Sequence, residues 1–476
     1  MIAMKAGDVA KIIEGKLVGN PETLVSGKFE FDSREIQKGD VFIALIGEFK
    51  DGHDFVSDAI NHGAMLSITS KEVVGDHILV PDVLVAISKL ANYLRETLKD
   101  LKVIGITGSQ GKTTTKDLLR SVLALSGETI APPGSYNNEI GVPITLLRAD
   151  AKTRYCILEM GARHQGDIAR LTQIAQPDVG IVLKVGLAHL GEFGSRENIA
   201  RTKGELIRGL RDGATAILGT YDEFTPNLAS GLSLNVIHFG EKPDCDIRAA
   251  DIEIKGGYAS FDLVAQQGRE RVELQILGEH QIANALAAAA AAISLGIDLR
   301  LVAEGLSQHT AQSKWRMELH KINEITLIND SYNSNPESCK AAIETLRQLS
   351  QESGGRSWAF LGKMHELGSE SNKLHKEIGE FAVNANLDNL VAIGDPSFTK
   401  NLSSKSTQVS SVSDWNSATE FLSRIEPGDV VLIKGSRAEK LDQLANAALE
   451  FIEKRHYGSV SGDVGNWNIH EKGENK

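Results

Sequence analysis

The run Thr107-Gly108-Ser109-Gln110-Gly111-Lys112-Thr113-Thr114-Thr115 has the composition of a turn built to grip phosphate. Its glycines let successive backbone N–H groups turn inward onto anionic oxygens, and a helix beginning at its end adds positive potential. Lys112 has the reach to meet the terminal phosphates of a nucleoside triphosphate, and the Thr113 hydroxyl can ligate Mg²⁺. Ile106 stands where the general phosphate-loop pattern has its first glycine, so the spacing is a shortened form. No Asn-Lys-x-Asp base-reading motif occurs, which points to ATP and away from a GTPase. Glu159 closes the apolar run RYCILE and is placed like an acidic Mg²⁺ ligand, the alternative being a strand-end surface carboxylate.

Such groups work only if rigid elements hold them. KVIGIT reads as an apolar strand before the loop, and TTTKDLLRSVLAL has helical spacing after it. RYCILEM, a helix near Asp167 to Gln176, VGIVLKV, and an Ala-rich helix ending at Gly296 continue the pattern. Alternating strands and helices predict an α/β fold with a mainly parallel sheet covered on both faces. A third region repeats the grammar with ITLIND, SWAFLGK, NLVAIGD and VVLIKGS, predicting a Rossmann-like domain with ligand loops at the carboxyl ends of its strands. The expected organisation is a small α/β N-terminal domain over 1–99, a central ATP-binding domain over 100–312, a C-terminal Rossmann-like domain over 313–455, and a mobile polar tail over 456–476. Residues 402–413 (LSSKSTQVSSVS) read as a Ser-rich surface loop.

With 476 residues, 41% hydrophobic and 24% charged, the chain can bury several cores without staples. A formal net charge of -12 argues against nucleic-acid binding and against an anionic membrane surface. Cys156, Cys245 and Cys339 match no zinc or disulfide spacing and read as packing residues in a reduced compartment. The N-terminus lacks the apolar core of a signal peptide, and no apolar run approaches the roughly 20 residues of a membrane span. A cytoplasmic protein, monomeric, with no membrane insertion, is the expectation.

The short form TGSQGKTTT resembles the ATP loop of the Mur ligase family, and the resemblance continues in order along nearly the whole chain. FDSRE (Phe31 to Glu35), GDVFIALIG and DGHDF resemble its uridine-nucleotide domain. SYNNEIGVPITLL, ILEMGARHQGDI, VGLAHLGEFGSRENIARTKGE and GEHQIANALAA resemble the central domain. NDSYNSNPES, FLGKMHELG and VVLIKGSR resemble the C-terminal domain. Within the family, SYNSNP and KGSR are most similar to the branch that adds D-alanyl-D-alanine, not a single amino acid. Folate-type relatives lack the domain ahead of the phosphate loop, which this chain has.

The resemblance implies an ATP-dependent ligase of peptidoglycan precursor synthesis. UDP-N-acetylmuramoyl-tripeptide and D-alanyl-D-alanine would be joined through an acyl phosphate, with two Mg²⁺ ions. It implies that Lys112, His189 and Lys203 are catalytic, with His189 on the second Mg²⁺ and Lys203 carbamylated by CO₂. Asn284 would lie at the adenine, Asp330 at the ribose and Arg316 at the phosphates, so that domain closure assembles the site and excludes water. Ser33 and Arg34 are candidates for the uridine diphosphate, and Asn137 and Asn138 for the muramoyl peptide. Asn333, Ser436 and Arg437 are candidates for the dipeptide, whose carboxylate suits a bidentate guanidinium. Gln110, Lys184, Gly219, Lys363 and His365 depart from the usual residues of the family. The competing readings are another amino acid ligase of the family and a catalytically silent nucleotide-binding scaffold.

Overall fold

The structure, a computed structural model, describes residues 2–458 apart from Gln312 and Ser403, with side chains given through Arg455. The chain forms two compact units, one running to Ser313 and including Glu366–Glu370, the other comprising Lys314–His365 and the chain from Ser371 onward. Three main sheets fall one in each of the three regions read from the sequence.

In the first unit, a five-stranded sheet runs Lys16–Val18, His77–Leu79, Leu66–Thr69, Val41–Ile43, Phe29–Glu30, parallel except for its first pair. The helix Val83–Thr97 follows, capped by Asp82, whose side chain accepts the Val85 N–H. Its buried face (Val83, Ala86, Ile87, Leu90, Ala91, Leu94) joins one apolar core that continues through Val103, Val142, Leu158 and Ile168. The segments on either side of residue 99 therefore carry separate sheets but share a core. Arg95 adds a polar tie: buried, it donates to Asp178 Oδ2 at 2.9 Å and to the carbonyls of Leu101 and Gln176.

The central sheet has nine strands, and Lys102–Thr107 lies between Val179–Val182 and Tyr155–Glu159 in parallel register. Both faces are covered, as the continuous apolar strands require: the Ala-rich helix Gln281–Ser294 packs on one side, where alanines let it approach closely, and Gly141–Leu146 and Asp167–Ala175 lie on the shared-core side. Ile247–Lys255, Tyr258–Ala265 and Gly268–Leu277 extend the sheet as an antiparallel meander at one edge. This meander went unread in the sequence, although YASFDLVA alternates apolar and polar residues with strand period.

In the second unit the sheet order is Glu318–Ile322, Ile325–Asp330, Val430–Lys434, Ser357–Gly362, Asn389–Ile393, Gln408–Val412, again parallel except for the first pair. Asn335 caps the helix Pro336–Ser353 through a reciprocal capping box with Ser338, with Pro336 at the first helical position. One expectation fails: the Ser-rich segment contains the edge strand Gln408–Val412, paired parallel with Asn389–Ile393. An edge strand needs a ladder on one side only, so Ser410 and Ser411 are tolerated where a central strand would require apolar residues. The final helix runs from Leu441 to Gly458, so the polar tail read from 456 starts inside it; residues 459–476 lie outside the described residues. Among the described residues, no helix is long and apolar enough to cross a membrane.

Candidate active site

The phosphate loop sits where the central strand Lys102–Thr107 gives way to the helix Lys112–Ala124. Gly111 holds φ at 84°, and a Cβ there would lie 2.2 Å from Asn284 Oδ1, so only glycine fits. Asn284 is itself fixed, donating to Gln281 Oε1 at 2.7 Å and accepting from Thr115 Oγ1 at 3.4 Å. It therefore supports the underside of the loop. Lys112 Nζ donates to Gly108 O at 2.8 Å, Ser109 N donates to Lys184 O at 2.9 Å, and Gly186 N donates to Ser109 Oγ at 2.8 Å. The lysine at 184 makes this contact through its main chain, which explains how an unusual side chain leaves the loop's support intact.

Register places Glu159 beside Ile106, at the same sheet end as the loop. Its carboxylate is fully buried; Oε2 accepts from Ser135 Oγ at 3.0 Å, while Oε1 has no hydrogen-bond partner. Thr107 Oγ1 is likewise buried without a partner, and Thr113 is buried one residue beyond Lys112. Buried oxygens left open at the mouth of a phosphate loop fit Mg²⁺, a hard cation that takes one or two protein oxygens and completes its shell with phosphate and water. Among the described residues there is no cluster of three or more His, Cys, Asp or Glu side chains that could cage a metal.

Lys203 ends the helix Arg196–Lys203 and is buried. Burial, reinforced by the positive charge of Lys112 and opposed by Glu205, pushes its amine down to about 7. It is no solvated helix lysine, which spacing alone would have suggested. Glu205 is held by the N–H groups of Gly166 at 2.7 Å and Ala169 at 3.0 Å. His189 adopts φ 61° ahead of the short helix Leu190–Phe193, and its Nδ1 lies 2.5 Å from Glu366 Oε2. Gly219 ends a neighbouring strand, and a Cβ there would fall 2.1 Å from Leu183 O, so the departure to glycine has a steric reason.

Asn137 donates to Ser135 Oγ at 3.3 Å and accepts the Gly161 N–H through its carbonyl at 2.8 Å. Asn138 Oδ1 accepts from Gly141 N at 3.1 Å, at the start of the helix Gly141–Leu146. Ser33 is buried, while Arg34 is exposed and grips Asp32 with a bond of 2.6 Å; that hydrogen bond holds the Asp32 carboxyl down at about 2. In the second unit, Asp330 pairs with the buried Lys434 at 2.6 Å and accepts the Met317 N–H. Lys434 also donates to Asn333 O at 3.0 Å. Arg316 lies over the Tyr332 ring at 4.0 Å, and Arg437 over the Trp315 ring at 4.3 Å while pairing with Asp442. Ser436 Oγ accepts the His365 N–H at 3.0 Å.

Sequence reasoning missed Lys116, Ser135 and Lys434. Lys434 ends the apolar strand VVLIK, and Lys116 stands one helical turn after Lys112; a lysine in either place has to be paired to be buried.

A parallel sheet carrying a phosphate loop, an open buried carboxylate and a lysine held near neutrality defines an ATP-using α/β protein. Comparison with known proteins narrows the class. Residues 29–101, 106–292 and 315–437 match, respectively, the Mur ligase family catalytic domain, the Mur ligase middle domain and the Mur ligase glutamate ligase domain. The chain is 37% identical over 499 residues to the UDP-N-acetylmuramoyl-tripeptide--D-alanyl-D-alanine ligase of Mycobacterium tuberculosis, covering 94% of this chain and 98% of the relative. Its fold is similar to a crystal structure of MurF from Acinetobacter baumannii, with a TM-score of 0.85, 32% identity, and 94% and 99% of the two chains covered. It is similar also to MurF ligase from Thermotoga maritima in complex with ADP, with a TM-score of 0.78, 31% identity, and 90% and 99% covered. The chain belongs to the Mur ligase family.

Proposed function

We infer that the chain joins D-alanyl-D-alanine to UDP-N-acetylmuramoyl-tripeptide at the expense of ATP, giving the UDP-linked pentapeptide, ADP and phosphate. The observation that carries this reading is the phosphate loop set beside the open oxygen of Glu159 in a chain similar from end to end to ligases of that name. A peptide carboxylate is unreactive toward an amine in water. Transfer of the γ-phosphoryl group from ATP makes it an acyl phosphate and releases ADP; the dipeptide's amine then attacks the carbonyl carbon, the C–O bond to phosphate breaks with its electron pair going to the departing phosphate, and the nitrogen gives up a proton.

The first step crowds two anions, and charge neutralisation is what the chain must supply. Lys112 meets the terminal phosphates, and the backbone N–H groups at the start of the helix Lys112–Ala124 face the others. Thr113, Glu159 and His189 are the side chains that would hold Mg²⁺, which supplies further neutralisation when bound. Lys203 is proposed to react as a free amine with CO₂, forming an N–C bond and releasing one proton; the resulting carbamate is an anion in the field of Lys112. An amine held near 7 has a substantial unprotonated fraction at neutral pH, as that reaction requires. Asp330 and Arg316 are assigned to ribose and phosphates, Ser33 and Arg34 to the uridine diphosphate, Asn137 and Asn138 to the muramoyl peptide, and Asn333, Ser436 and Arg437 to the dipeptide. A reducing, cytoplasmic setting suits three buried free cysteines.

The test is ADP release by purified enzyme with Mg²⁺, measured with each substrate omitted in turn and with lysine- and diaminopimelate-containing precursors compared. ADP release that requires both substrates, with a pentapeptide product of the summed mass, is expected. Hydrolysis at the same pace without them would overturn the reading.

A further inference from the structure

We infer that Lys116 is a positioning residue that locks the segment carrying Ser135 and Asn137 onto the Glu159 carboxylate, coupling the peptide side of the site to its metal side. This rests on the assignments of Glu159 and Asn137 above.

Lys116 lies one turn beyond Lys112 on the same helix and is 2% exposed. A buried ammonium must place three protons on acceptors. Two go to the carbonyls of Pro132 at 3.0 Å and Gly134 at 2.8 Å, and Asp117 Oδ1 pairs with its charge at 3.1 Å. Asp117 is itself held, its Oδ2 accepting from Ser313 Oγ at 2.7 Å. Glu159 Oε1 lies 3.8 Å from Lys116 Nζ, too far for a hydrogen bond yet close enough for strong attraction between buried charges. The other oxygen of Glu159 accepts from Ser135, whose own oxygen accepts from Asn137. The connections close a ring: Lys116 fixes the main chain on the N-terminal side of Ser135, Ser135 fixes Glu159, and the lysine faces Glu159 without occupying Oε1. A lysine serving only to fill the core would not need a carboxylate with an open oxygen beside it. Movement of the 132–137 segment on binding the muramoyl peptide is transmitted through the same three groups to that oxygen.

The test compares Lys116→Met, Lys116→Arg and Ser135→Ala with the unaltered enzyme. Calorimetric binding of UDP-N-acetylmuramoyl-tripeptide without ATP is one measurement; KM for each substrate and the Mg²⁺ concentration giving half-maximal rate are the others. Lys116→Met is expected to weaken binding of the UDP precursor and raise its KM about 10-fold or more, the scale for losing a group that orients a ligand. The KM for D-alanyl-D-alanine should stay within about 2-fold, because that step uses other contacts. The half-maximal Mg²⁺ concentration should shift with the precursor, and Lys116→Arg should restore part of the loss. Ser135→Ala added to Lys116→Met should cost less than the product of the two single effects, since both cut one ring. If Lys116→Met is insoluble, Lys116→Gln supplies the same comparison. Lowered thermal stability with unchanged precursor binding, or an equal rise in both KM values, would overturn the proposal. Failure of the unaltered enzyme to require both substrates would instead overturn the functional reading, and the ATP-free binding arm would still decide the role of Lys116.

Discussion

Lys203 is held where an ammonium is poorly stabilised, buried and in the field of Lys112. Between about pH 7 and the ordinary lysine value of 10.5, the unfolded chain carries a proton there that the folded chain lacks. The stability contributed by this group therefore rises with pH across that window, and Lys203→Met should flatten the slope in urea unfolding measured from pH 7 to 9. The same shift makes carbamylation favourable as pH rises through about 7, a trend that ¹³C NMR with labelled bicarbonate will follow. Lys203→Ala should abolish activity, with partial recovery on adding small carboxylic acids; full activity in that variant would remove the lysine from the mechanism. For Lys112, loss of a preorganised cation at the phosphates predicts a fall in kcat of ~10²–10³ for Lys112→Ala at saturating ATP.

The loop works because a strand and a helix hold it from either end, with Asn284 filling the space under Gly111. Gly111→Ala forces a Cβ at positive φ into that amide, so nucleotide binding measured by fluorescent-ATP displacement should be lost while the fold's circular dichroism persists. Gly219→Asn, which restores the residue usual in the family, meets Leu183 O at the end of the adjacent strand. It should lower stability by about 1–3 kcal/mol, the cost of overpacking, and be seen as a reduced melting temperature. Strands and helices with strong period, such as KVIGIT and the Ala-rich helix, were readable from the sequence. The edge strand Gln408–Val412 was not, because serine composition reports solvent on one side and says nothing of a ladder partner some 19 positions upstream, where Asn389 pairs with Gln408.

Across the whole molecule, the surprise is how firmly the N-terminal segment joins the central one. A single apolar core crosses residue 99, and Arg95 adds hydrogen bonds and an ion pair to Asp178. Arg95→Met leaves Asp178 and two carbonyls short of a donor, and should cost about 3 kcal/mol, as for breaking a buried pair. Urea unfolding would register this as a lower midpoint for the first unit, with ATP binding retained in the folded fraction.

By itself the sequence determined the phosphate loop, the ordered motifs, the alternation of strand and helix, and the residue types available for chemistry. These are local properties: a shortened glycine loop between an apolar strand and a helix has few other uses. Tertiary structure decided the electrostatics and the partners. Burial lowered the Lys203 amine, the end of Tyr155–Glu159 left one oxygen of Glu159 open, and folding brought Lys116 and Lys434 to acceptors far along the chain. Desolvation and long-range pairing depend on which atoms exclude water from which, and spacing along a chain carries no record of that.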